Sequence, residues 1–303
     1  MSNRISLAVA AVLLAAAPLA DALQNISKRA TVAADVAIDV SNVEGRVDVT
    51  VWDRNEVELT ASLKSDEDKL EFEASERQVR IKVVRPDDHY QHGSRDDGSK
   101  DAILTLKVPK SARLSAETVS ADITATGVLG DQRLDSVSGE IRTQAFDAPV
   151  KLNTVSGDGT ISGNAGEAAV SVESVSGMIA ASGIRGSYDG EVVSGNLTID
   201  LAAGERLHAK SISGDIKAHA ELLSSARVEM ETVSGTIDFK IKAPVNAEFD
   251  LDSFSGDIEA CFGPKARDKN RYGPGSELSF TQGSGGARVS MNSLSGDITI
   301  CDH

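Results

Sequence analysis

A five-residue motif, Val-Ser-Gly-Asp-Ile or a close variant, returns along the chain at nearly constant spacing, and no other feature restricts the fold as much. Its Ser-Gly pairs are Ser138-Gly139, Ser156-Gly157, Ser176-Gly177, Ser194-Gly195, Ser213-Gly214, Ser234-Gly235, Ser255-Gly256 and Ser295-Gly296, and Val119-Ser120-Ala121-Asp122-Ile123 is a further copy with Ala for Gly. From Ala121 the successive spacings are 18, 18, 20, 18, 19, 21, 21 and 40 residues. Self-similarity at such a period is the signature of stacked repeats.

Each copy carries apolar residues at fixed offsets. Val150, Val170, Tyr188, Leu207, Val228, Phe249 and Val289 stand seven before the Gly. Leu134, Leu152, Val172, Met230, Leu251 and Met291 stand five before it, and Ile or Leu follows two after it in most copies. Steps of two are strand periodicity. The phase slips at the Ser or Thr three before the Gly, so the chain turns a corner there. This predicts an all-β protein: a single-chain β-solenoid resembling a parallel β-helix, of about nine coils of 18–21 residues. Coils stacked about 4.8 Å apart must all turn at the same place. Gly permits backbone angles or close approaches denied to other residues, and a Ser column can hydrogen-bond along the corner. The motif is therefore read as a row of structural corners rather than as nucleophiles, since no His column accompanies the Ser residues as a base. Leucine-rich repeats would need a Leu/Asn pattern that is absent, calcium-binding nonapeptides would need denser Gly and Asp, and propeller blades would need about twice the length.

The ends depart from the repeat. Residues 1–22 read as a signal peptide: Arg4 is the positive n-region, Ile5 to Ala17 the apolar h-region, and Ala20-Asp21-Ala22 a small-x-small cleavage site, which predicts cleavage after Ala22 and a periplasmic or secreted protein. No later stretch is apolar enough to span a membrane. Residues 23–118 lack the motif but alternate as strands, and are read as an irregular β cap with the first coils, ahead of repeats over 119–303. Within the cap, the polar stretch holding Asp87, Asp88, His89, His92, Asp96 and Asp97 is read as a solvated loop. The doubled last spacing marks an insertion over about 263–286, whose Lys265, Arg267, Lys269, Arg271 and Tyr272 form a candidate partner loop. Cys261 and Cys301 each follow a motif Gly by five residues. In adjacent coils their Cα atoms would lie about 5 Å apart, within disulfide reach. Closing that loop in an oxidising compartment would contribute about 4 kcal/mol in the chain-entropy model and pin the last coil.

Composition narrows the function. The net charge is −15, and removing Arg4 and Asp21 with the signal peptide leaves it unchanged, which excludes the basic footprint of a nucleic-acid binder. The acids after the motif Gly (Asp122, Glu140, Asp158, Asp215, Asp257 and Asp297) form a column read as a solvated face, with calcium as the alternative. His89, His92, His208, His219 and His303 show no zinc spacing. No catalytic constellation, cofactor motif or metal site is read.

Val43-Glu44-Gly45-Arg46-Val47, Leu106-Lys107-Val108-Pro109 and the serial motifs from Val119 to Ile298 resemble the bacterial putative-adhesin β-strand-repeat family, whose biochemical function is undefined. The resemblance implies an adhesin-like role; the regular repeats, the absent catalytic constellation and the export signal point to a non-catalytic binding or structural protein of the cell envelope, with an envelope or surface protein or glycan as partner. A polysaccharide-active β-helix enzyme and a calcium-stabilised surface protein are the alternatives.

Overall fold

The computed structural model describes residues 24–64, 68–85, 101–164, 166–269 and 274–302. The signal-peptide expectation, the polar loop with Asp87, Asp88, His89, His92, Asp96 and Asp97, and Arg271, Tyr272 and His303 lie outside the described residues. Among the described residues the protein is all β, without a helix, and its strands stack into a solenoid-like array. Among the described residues no helix is long and apolar enough to cross a membrane.

Two parallel ladders run the length of the array. On one face the strand Gln132–Ser136 pairs with Val150–Thr154, which pairs with Glu167–Ser174, with Leu134 opposite Leu152 and Leu152 opposite Val172. On the other face Ile141–Ala145 pairs with Gly159–Gly163 and that strand with Met178–Val192. The three strands Met178–Val192, Asn196–Ser211 and Ile216–Thr232 are long enough to serve both faces, as where Ile179 meets Leu197 and Tyr188 meets Leu207. The register is the motif spacing written in space.

The alternation decides which side is inside. Val150–Thr154 and Ile237–Ile241 bury every other residue. The residues seven and five before each Gly are buried against the Ile two after it, so Leu152, Tyr188, Met230, Ile237 and Met291 belong to one continuous core. β-Branched and aliphatic residues fit this pleated, half-buried surface. Burying such a side chain contributes about 1.5–3 kcal/mol.

Stacking is not sequential at either end. Ala37–Trp52 lies between Arg113–Thr126 on one side and Gln78–Val84 with Ala102–Pro109 on the other. Beyond it come antiparallel strands: Lys69–Ala74 on Gln78–Val84, and Glu56–Leu63 then Gln24–Thr31 on Ala102–Pro109. At the far end, Ala287–Ser293 is threaded between Ile216–Thr232 and Ala247–Ser253, with Met291 opposite both Met230 and Leu251. Likewise Ile298–Asp302 lies between Ile237–Ile241 and Ile258–Ala260. The last repeat in sequence is thus next to last in space. The segment expected to be pinned as a free last coil has neighbours on both sides, and the outer position belongs to residues 247–260.

Candidate binding face along the coil corners

The corner explains most of the motif residue by residue. An added Cβ at Gly139 would stand 2.0 Å from the carbonyl oxygen of Ala121, and at Gly214 1.9 Å from that of Gly195. The contact repeats up the stack, with Gly296 against Gly235 and Gly256 against Gly296. Close approach of successive backbones therefore fixes the Gly. Gly45, outside the repeats recognised in sequence, aligns with Ala121 and extends the column toward the N-terminal end.

The polar positions are occupied with one another. The Gly139 N–H donates to Ser136 Oγ at 2.9 Å and the Gly157 N–H to Thr154 Oγ1 at 2.8 Å. The Ser138 hydroxyl donates to the Val119 carbonyl at 3.2 Å, beside Ser120 Oγ. Four acids of the column, Asp122, Asp158, Asp215 and Asp297, accept backbone N–H groups from the neighbouring coil while staying exposed or half-exposed. Asp122 takes the N–H of Glu140 at 2.8 Å, Asp158 that of Met178 at 2.7 Å and Asp297 that of Asp257 at 2.9 Å. Asn196 does the same for Asp215, so the role needs a carbonyl-type oxygen and not a charge. Asp215 accepts both the N–H and the hydroxyl of Thr236, and these bonds hold its carboxyl below the usual carboxylate range. The physical cause is the corner itself, which turns these N–H groups out of the ladder and leaves them to be satisfied by side chains.

The first residue of the motif has no such internal role. Val119, Val137, Val155, Val175, Val193, Ile212, Val233, Leu294 and Phe254, with Val43 ahead of them, are all open to solvent, from 36% for Val43 to 59% for Phe254. Their backbones are held in the corner ladder: Ser156 N–H bonds to the Val137 carbonyl at 2.8 Å and Ser176 N–H to the Val155 carbonyl at 2.8 Å. Five of them, Val137, Val155, Val175, Val193 and Ile212, line one groove, and the row forms an apolar ridge. Isolated exposed apolar residues are ordinary, but contiguous apolar strips on a monomer mark interaction sites. Sequence reasoning missed the ridge because an apolar residue beside a turn reads as core. The available signal was its position, since two before the Gly is out of phase with the seven-before and five-before columns.

Acidic rows border the ridge. On one side, four before each Gly, stand Glu117, Asp135, Glu173, Glu191, Glu231 and Asp252, interrupted by Asn153, Lys210 and Asn292. On the other side runs the row from Asp122 to Asp257. Ridge and first row enclose a groove of about 630 Å³ running from Thr118 to Ile212, within the size range of ligand sites. Lys151 reaches Glu173 at 2.8 Å and Lys210 reaches Glu231 at 3.2 Å, so the row is partly neutralised from its own face. Asp189, Glu191 and His208 each bring a ligand atom to within 4.8 Å of the others. They lie on an open sheet surface, where acidic groups collect without a metal, and His208 also approaches Glu229 at 3.7 Å.

The insertion is built as well as exposed. Ser276–Gln282 pairs antiparallel with Ala247–Ser253, and Arg267–Asp268 pairs back onto it. Phe280 stacks on Phe249 at 4.7 Å, and Phe262 meets both edge-on. Lys265 and Arg267 are exposed, and Lys269 is engaged by Asp252. Cys261 and Cys301 form a disulfide with Cα atoms 4.8 Å apart, joining the outer coil to the threaded one.

Comparison with known proteins places residues 35–301 within the description of the Toastrack DUF4097 family. No curated protein matches. Among solved structures, the chain is similar to a putative lipid binding protein from Parabacteroides distasonis (14% identity, 92% of this chain and 96% of that one, TM-score 0.47). It is also similar to a putative adhesin from Bacteroides fragilis (15% identity, 93% and 99%, TM-score 0.36). A putative cell adhesion protein from Clostridium sporogenes aligns at 8% identity over 93% and 100%, with a TM-score of 0.25.

Proposed function

Because the chain belongs to the Toastrack DUF4097 family, we propose that it is an exported, non-catalytic scaffold of the cell envelope that presents a long β corner to a surface partner. In this reading residues 1–22 direct export, and 23–118 cap the array. The Ser-Gly pairs turn about nine coils, and Cys261–Cys301 clamps the far end. The apolar ridge from Val43 to Phe254 carries the reading, because it is the one repeated feature of the motif that the fold does not consume. A polysaccharide-active enzyme would need carboxylates converging on a bond. Here four of the six acids after the Gly, Asp122, Asp158, Asp215 and Asp297, are engaged by backbone N–H groups. The same commitment disfavours a calcium column.

Two measurements test the proposal together. Cell fractionation of the tagged full-length chain is expected to return a shortened protein, beginning after Ala22, from the periplasm or medium. Incubation of that protein with acidic and neutral polysaccharides is expected to release no new reducing ends or unsaturated products. Retention of the full-length protein in the cytoplasm, or turnover of any polysaccharide, defeats the reading. Lys265, Arg267 and Lys269 are a second surface for a partner, supported by the exposure of the first two, and charge reversal there leaves the ridge intact for comparison.

A further inference from the structure

We infer that the corner ridge is the seat of a basic amphipathic α-helix from a protein partner, laid along the axis of the stack. The inference rests on the scaffold reading and specifies its ligand. Pitch, flanking charge and polarity carry it.

Pitch comes first. The ridge repeats once per coil, and coils in a β array are about 4.8 Å apart; the Cα separation across the disulfide, between neighbouring coils, is 4.8 Å. The apolar rows of an amphipathic helix recur about every 5.3 Å along its axis, from 1.5 Å per residue and a 3.5-residue repeat. Alternate side chains of an extended strand recur about every 6.7 Å. Over the four steps from Val137 to Ile212 a helix drifts by about 2 Å from the ridge and a strand by about 8 Å, more than one whole coil. A helix can therefore set one apolar row against each of Val137, Val155, Val175, Val193 and Ile212, and an extended peptide cannot.

Charge selects the helix. Glu117, Asp135, Glu173 and Glu191 stand on one side of the ridge, with Asn153 and Lys210 in the same row, and Asp122, Glu140, Asp158 and Asp215 on the other, with Met178 and Asn196 between them, so acids outnumber the one cation on both sides. A helix whose apolar stripe is edged with Lys and Arg matches both rows at once. A second copy of this chain does not: packing ridge on ridge would press acidic rows against acidic rows on a chain of net charge −15. Bonding of Asp122, Asp158 and Asp215 to backbone N–H groups fixes their carboxylates in place, so their alignment costs little further ordering on binding.

The test uses the full mature chain and a labelled three-heptad peptide with Leu at the core positions and Lys beside them, followed by fluorescence anisotropy. The wild-type protein is expected to bind it, more weakly as salt rises. The triple variant Val155→Thr, Val175→Thr, Val193→Thr keeps β-branching at exposed positions and should melt as wild type does. It is expected to bind about tenfold or more weakly, as for loss of an anchoring apolar row. Reversal of the acidic edge by Glu173→Lys with Glu191→Lys supplies an independent variant with the same expectation. A peptide with Glu for Lys is expected not to bind. The inference is overturned by equal affinity for wild type and the Thr variant, or by equal affinity of a peptide carrying Ser for Leu. It is overturned too if the wild type sediments as a dimer that the Thr variant dissolves, or if neutral lipid vesicles are retained in place of the peptide. Failure of the scaffold reading would show as polysaccharide turnover or cytoplasmic retention, neither of which alters this titration.

Discussion

The two ends of the array face one problem, an exposed strand edge, and close it by different means. At the N-terminal end both ladders are continued outward by antiparallel strands, with Lys69–Ala74 on one face and Glu56–Leu63 and Gln24–Thr31 on the other. Arg29 and Lys107 flank Glu58 there and hold its carboxyl below the ordinary range, led by the Lys107 hydrogen bond. At the C-terminal end the cap strand Ser276–Gln282 covers one face only, while the other ends on the three-residue strand Ile258–Ala260. That thin edge is where the disulfide sits. Where the hydrogen-bonded ladder is long the cap is non-covalent. Where it is three residues long, a covalent bond ties the last coil to the one beneath it.

The comparison breaks most readily at the disulfide. Cys261→Ser with Cys301→Ser reopens a loop with a sequence separation of 40, and should lower unfolding free energy by about 4 kcal/mol in the chain-entropy model. Hydrogen exchange should quicken over residues 247–260 and stay unchanged over 37–52. An equal rise at both ends would mean that the bond stabilises the array as a whole and that the contrast between the ends is false. The next effect sharpens the threaded coil. An Ala at Gly296 would place its Cβ 1.9 Å from the Gly235 carbonyl oxygen. Gly296→Ala should therefore cost about 3 kcal/mol, the upper part of the range for overpacking. Ala121, the natural exception in the same column near the N-terminal end, should tolerate Ala121→Gly at under about 1 kcal/mol. Chemical denaturation of the two variants decides it, and similar losses would remove the argument that close backbone approach fixes the Gly at position 296.

How much of this was written in the sequence depends on which kind of information each element carries. The inward residues were legible because strand period is two and Leu152, Met230 and Ile237 obey it. The Cys261–Cys301 pairing was legible because both residues occupy one place in the repeat. The strand order at the ends was not: a repeat says which residues are equivalent, never which coil is next. Nothing in residues 287–302 differs from a coil added last, so their threading under 247–260 had no local signal. The insertion read as a basic loop because its lysines and arginines are conspicuous, whereas Phe280, which fastens it to Phe249, is one aromatic among polar residues. The site was the least legible part. Polar residues in the motif drew attention as candidate ligands and proved to be occupied with the backbone. The valine, too ordinary to notice, was left facing solvent.

The smallest effect concerns the carboxylates that run between the two ends. Asp215 sits in mid-stack, and its folded carboxyl titrates below the ordinary range because Thr236 donates to it twice. A depressed folded value means that the contribution is fully present above the unfolded value of about 3.9 and is lost as pH falls through the folded value below it. Asp215→Ala should cost about 1 kcal/mol at pH 7, as for one largely exposed charged acceptor, whereas Asp215→Asn should cost less than half of that, since Asn196 already performs the same task one coil away. The Asn variant should also lose less stability than wild type on acidification below about pH 4. Melting temperatures of the three proteins at neutral and acid pH measure all of this. If Asn proves as damaging as Ala at pH 7, the charge itself is needed in the column, and the even hydrogen bonding assumed from one end of the array to the other gives way to an electrostatic account.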